Sequence, residues 1–197
     1  MTTTSDVAEE TYAERTRLAR LFAELTPEQW AHPSLCAGWR VREVVAHMTA
    51  PFHTSPLRIL AGMARARFNY DRYAAPAARR DTARMSDTEL LRIVQANLRT
   101  PWPPSGGGPE AGLGHDVIHG LDITEPLGLP GPPTQRIALV LAGSDARSLK
   151  YFGVDLAGRR LVATDAEVSV GDGEPLQLSA REILRVITGR RALTDRE

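Results

Sequence analysis

The stretch GHDVIHGLDIT, residues 114–124, places His115 and His119 four residues apart in a segment that reads as helix from about Glu110 to Thr124, ending before Pro126. At that spacing both imidazoles project from the same face of a helix. Asp122 falls on that face too, beside His115 in angle, while Leu113, Val117 and Leu121 form an apolar stripe on roughly the opposite side. The histidines therefore lie off the surface that would enter a core. Two imidazoles on one helix make an incomplete zinc or nickel site, and a third ligand would come from a neighbouring helix, as in bundle metal sites. A solvated polar face is the competing reading of the same spacing.

Working outward, the pattern is that of a helical bundle. Leu18, Leu21, Phe22 and Leu25 recur at i, i+3, i+4, i+7 in a first helix ended by Thr26-Pro27. Val41, Val44, Val45, Met48 and Phe52 mark a second helix that Pro51 should kink or divide. After an arginine- and alanine-rich stretch, Ser86 and Glu89 have capping-box spacing and open a third helix bearing Leu90, Leu91, Val94 and Leu98. Pro101 to Pro109 (PWPPSGGGP) reads as a linker before the histidine helix. Past the breaker Leu129–Pro133, Thr134 is expected to cap a fifth helix running through Ile137, Val140 and Leu141 toward Leu149. Arg160–Thr164, Glu167–Val170 and Leu176–Leu178 read as short strands, with a turn at Gly171-Asp172-Gly173. Ser179 and Glu182 cap a last short helix, Ala180–Thr188, that stops at Gly189. The expected architecture is mainly α: a four-helix bundle with an additional helix over residues 1–150, and a small α/β tail over 151–197 docked on it.

A third ligand for the pair has one good candidate. His47 lies mid-helix in a segment packed into the bundle, although its angle is roughly 110° from that helix's apolar stripe and periodicity alone does not bring it to His115 and His119. His32 and His53 lie in or near loops and read as incidental.

Composition narrows the function. The chain has 197 residues, with 24 Lys+Arg against 24 Asp+Glu, so its formal net charge is zero. No basic excess marks a nucleic-acid binder. Lys150 is the single lysine, so arginine carries nearly all the positive charge, and the Ala, Arg, Gly and Pro content fits a GC-rich bacterial genome. One cysteine, Cys36, rules out an intrachain disulfide and any cluster of several thiolates. It sits in a loop without an evident base nearby in sequence and reads as structural. The polar, acidic start lacks a secretory pattern, and no apolar run approaches the ~20 residues of a membrane span, so a cytoplasmic protein is expected.

Three segments carry a resemblance. PSLCAGWRVREVVAHM (33–48) is similar to the signature before the first metal histidine of the maleylpyruvate isomerase-like, mycothiol-dependent enzymes, within the DinB/YfiT-like superfamily of metal-binding four-helix bundles. GHDVIHGLDITEPLG (114–128) resembles their second signature. RRLVATDAEVSVGDGEPLQLSAREILRVITGR (159–190) resembles their C-terminal module with its closing Thr-Gly-Arg. The resemblance implies that His47, His115 and His119 form one divalent metal site, with zinc the first candidate and nickel an alternative. It implies mycothiol as thiol cosubstrate and an actinobacterial type of enzyme. A divalent ion lowers the pKa of a coordinating thiol, and three protein ligands leave a position open for it. Asp122 is the candidate to hold a ligand imidazole in one tautomer. Arg190 is the candidate clamp for a carboxylate substrate. The family's isomerase branch often has glutamate where this chain has His115, the 68-residue interval from His47 to His115 is short for the family, and the tail is abbreviated.

The resulting expectation is a metal-dependent enzyme, an isomerase or S-transferase, that activates a small thiol toward a small electrophile, with nucleic acid and membrane excluded as partners. The alternative is a non-catalytic divalent-metal-binding bundle. Either is compatible with a monomer or a homodimer.

Overall fold

In the computed structural model, described over residues 4–102 and 110–193, the chain is mainly helical with one small sheet. Contacts divide it into two compact units, residues 1–131 and 132–197.

The first unit contains α1 (Thr4–Glu24), α2 (Pro27–Ala31), α3 (Val41–His53), α4 (Pro56–Arg65), α5 (Tyr70–Thr82), α6 (Asp87–Ala96) and α7 (Glu110–Thr124). α1 packs on α6 and α7, and α3 packs on the same two helices, which closes a four-helix bundle. Its core joins Leu18 and Phe22 of α1, Val41, Val44, Val45 and Met48 of α3, Leu90 and Val94 of α6 and Ile123 of α7. These are largely the stripes expected from periodicity, since burial of one apolar face is what stabilises a bundle helix. Thr26 ends one helix and starts another: its side chain caps α2, which buries Trp30 against Phe22 at 5.9 Å between rings.

Several expectations are corrected. Pro51 does not divide α3, which continues to His53; so near the C-terminus only one backbone bond is forgone. The arginine- and alanine-rich stretch folds into α4 and α5. α4 buries no residue, and the described residues that α5 buries are the small Ala74, Ala77, Ala78 and Thr82, so neither leaves a clear stripe in the sequence. The linker Pro101–Pro109 falls mostly outside the described residues.

Glu43 ties α3 to α5. Its carboxylate accepts from the Arg40 backbone N–H at 3.0 Å, the Arg40 guanidinium at 2.6 Å and the Thr82 hydroxyl at 3.0 Å. Burial alone would raise this carboxyl, but the Arg40 and Thr82 hydrogen bonds outweigh it and hold it below its ordinary 4.5. A carboxyl lowered on folding contributes stability above its unfolded value and loses it as pH falls through the folded one. The native protein is therefore expected to lose stability below about pH 4.5 more steeply than Glu43→Gln, measured by urea unfolding across that range.

The second unit contains α8 (Thr134–Ala142), α9 (Ala146–Phe152), β1 (Arg159–Ala163), β2 (Ser169–Val170), β3 (Glu174–Leu178) and α10 (Ala180–Ile187). The single helix expected from Thr134 to Leu149 is two, because the chain breaks at Gly143 and restarts under an Asp145 cap. Thr134 is not the cap; Pro133 holds that position without a side-chain bond. The sheet order is β2-β1-β3, with β2 antiparallel and β3 parallel to β1 and Leu161 opposite both Val170 and Leu176. α10, capped by Ser179 and Glu182 as expected, buries Ile183, Leu184, Val186 and Ile187 and packs on α8 and β1.

Candidate metal centre

α7 supplies His115 and His119 as the spacing requires, with Leu113, Val117 and Leu121 buried on its other side. Gly120 lets α1 come close: a Cβ there would lie 3.2 Å from both Glu14 and Leu18 of α1. α3 supplies His47. Because α5, α6 and α7 all pack on α3, a residue well off its apolar stripe still meets a neighbouring helix.

The structure brings the three histidines together. Ring centroids are 5.2 Å apart for His47–His115, 4.9 Å for His47–His119 and 4.7 Å for His115–His119. One ring nitrogen from each lies within 4.8 Å of the others. His47 Nε2 is 3.3 Å from His115 Nε2. Two nitrogens bound to one tetrahedral zinc, each at about 2.0–2.1 Å, lie about 3.3–3.4 Å apart, so this spacing suits a shared ion.

Two carboxylates orient the rings. Asp122 Oδ2 accepts from His119 Nδ1 at 2.9 Å, and Asp116 Oδ1 accepts from His115 Nδ1 at 3.2 Å. A carboxylate can only accept, so in the neutral ring the proton sits on Nδ1 and the lone pair on Nε2. Asp116 is itself held by Arg15, whose Nε donates to Oδ2 at 2.7 Å. Arg15 also donates to the carbonyl of Thr100 at 2.7 Å and that of Asn97 at 3.2 Å, at the end of α6. Burial works against the Asp116 charge, yet the His115 hydrogen bond and the Arg15 charge keep its carboxyl below the ordinary value. Burial also pushes His47 well below the ordinary histidine range, with the charges of His119 and His115 adding to the effect. A neutral imidazole is the form that ligates a metal. The donor set thus fits a divalent ion of the zinc type.

Asp122, expected to face a ligand imidazole, contacts His119, and Asp116 makes the same kind of contact with His115, which angle on the helix did not bring forward. Cys36 is also nearer the site than its sequence neighbours suggested. Its thiol donates to Asp122 Oδ2 at 3.1 Å and lies 3.9 Å from His119 Nδ1. The loop is pinned to α7 by the Leu35 N–H, which donates to the Asp122 carbonyl at 3.0 Å. Cys36, His119 and Asp122 form a second group of closely spaced potential ligands.

Aromatic rings wall the cluster. Trp39 lies 5.2 Å and Tyr70 6.1 Å from the His47 ring, and Trp102 4.9 Å from the His115 ring. His32 and His53 stand apart from it: His32 contacts the Pro33 carbonyl, and His53 faces Thr54 and, at 3.9 Å, Asp81. Arg190 belongs to the second unit, where it donates to the Thr188 carbonyl at 2.8 Å and lies over the Phe152 ring.

A helical bundle with three convergent imidazoles, and carboxylates behind two of them, presents a set of groups that could hold a divalent metal ion. Residues 12–100, which span α1's second half through α6 and include Cys36 and His47, match the mycothiol maleylpyruvate isomerase N-terminal domain. No curated protein and no solved structure matches the chain significantly. Among the described residues, no helix is long and apolar enough to cross a membrane.

Proposed function

We propose that the chain is a metal-dependent enzyme that activates a small thiol of the mycothiol type for transfer to, or isomerisation of, a small electrophile. The observation that carries this reading is the three-histidine cluster, with one nitrogen from each ring within 4.8 Å of the others. The match of residues 12–100 to a mycothiol-related domain supports the thiol. His47, His115 and His119 would hold the ion, zinc being the first candidate. When bound, it would lower the pKa of a coordinating thiol, so that the thiolate exists at neutral pH.

The remaining work belongs to the protein's own side chains. Asp116 and Asp122 hold the protons on Nδ1 of His115 and His119, keeping both rings fixed with Nε2 as the unprotonated nitrogen. Trp39, Tyr70 and Trp102 place aromatic rings edge-on to the imidazoles, which would limit competing water and offer an apolar surface to a substrate.

Cobalt-substituted protein titrated with mycothiol tests this reading. Saturable change in the cobalt absorption with release of a proton is the expected result. An unaltered spectrum at about millimolar thiol, a concentration that would populate even a weak complex, contradicts it.

A further inference from the structure

Between α4 and α5 lies a cavity of about 320 Å³, and Arg65, Arg67, Arg72 and Arg80 all line it. Residues 54–80, which carry all four arginines, contain a single acidic residue, Asp71. Among the described residues, none of these four arginines makes an ion pair, in contrast to Arg15, Arg17, Arg40, Arg42 and Arg99, each of which has a carboxylate partner. All four are exposed to solvent, which screens their mutual repulsion in part, and an anion entering the hollow would relieve the rest.

The backbone holds this arrangement at some expense. Arg67 and Phe68 both adopt left-handed φ, 55° and 57°, which non-glycine residues rarely do. The turn is kept by the Phe68 N–H bond to the Met63 carbonyl at 2.7 Å and by the Asn69 side chain capping α5 at Arg72 N. Gly62 lets the two helices close on each other, since a Cβ there would lie 2.5 Å from the Tyr73 ring. Strained turns persist where surrounding structure over-determines them and cluster at binding sites.

We propose that this cavity is an anion site for a small organic molecule bearing a carboxylate or phosphate group. Planar guanidinium groups match both anions bidentately, and the volume is at the lower end of the range for small-molecule pockets. Tyr73 in its wall adds a neutral O–H donor: burial raises its phenol, against the lowering charge of Arg80. Tyr73 lies 6.1 Å from Tyr70, and Tyr70 lies 6.1 Å from His47, so two rings join the cavity to the histidine cluster. The anion is thus suited to be the charged end of the molecule handled there. That extension rests on the proposed function, whereas anion binding in the cavity does not.

Calorimetric titration with inorganic phosphate and with succinate, at low ionic strength, tests the site. Both probes are used on the native chain, on His119→Ala and on Arg67→Gln/Arg72→Gln. The His119 variant removes a metal-bound anion from the signal and separates this proposal from the metal centre. Saturable binding to the native chain that persists in His119→Ala and falls at least about tenfold in the double arginine variant, or about 1.4 kcal/mol, is expected. The tighter probe identifies the carboxylate or phosphate source. Binding undiminished in the folded double variant, binding lost in His119→Ala, or no saturable binding of either probe would overturn the proposal.

Discussion

Arg15→Ala is expected to destabilise the first unit by about 3–5 kcal/mol, the usual cost of leaving one member of a buried ion pair without its partner. Arg15 and Asp116 are 5% and 3% exposed, so little water can replace the lost guanidinium. The same substitution removes the donor to the Thr100 and Asn97 carbonyls, loosening the end of α6 from α1. It also frees Asp116, whose other oxygen orients His115, so metal affinity should fall together with stability. Thermal and urea unfolding measure the first effect. A loss below about 1 kcal/mol, as for an exposed pair, would mean that the Arg15–Asp116 contact does not organise the bundle.

His119→Ala should have the largest effect on metal binding. It removes one of the three proposed ligands, and it takes away the group that Asp122 and Cys36 both face. Losing an orienting partner typically costs 10–100-fold in metal affinity, and losing a ligand should cost more than about 100-fold. Asp122→Asn retains the size of the side chain but weakens its hold on the imidazole, so it should fall within the lower range. The order of the two variants distinguishes a ligand from a residue that positions one.

The bundle was readable wherever a helix buries one apolar face: α1, α3, α6 and α7 carry Leu18, Val44, Leu90 and Leu113 at helical spacing, and all four side chains are buried. α4 and α5 were not, because packing through alanines, or without burial, leaves no period in the sequence. The break between α8 and α9 at Gly143 and Asp145 interrupts a stripe that looked continuous. At the site, His115 and His119 were legible as an i, i+4 pair. His47 was a candidate by its place in a packed helix, and the family resemblance joined it to the pair, since its angle pointed elsewhere. Asp116 and Cys36 depend on tertiary partners far along the chain: Arg15 is 101 residues from Asp116, and Asp122 is 86 from Cys36. No local pattern encodes such a contact.

The metal content of purified protein, by elemental analysis of the native chain beside His119→Ala, tests the central claim most directly. About one divalent ion per native chain and nearly none in the folded variant is the predicted result, as for an open three-ligand site that has lost a ligand. Full metal retention in His119→Ala, or a native chain that binds no ion when dialysed against zinc, would contradict it.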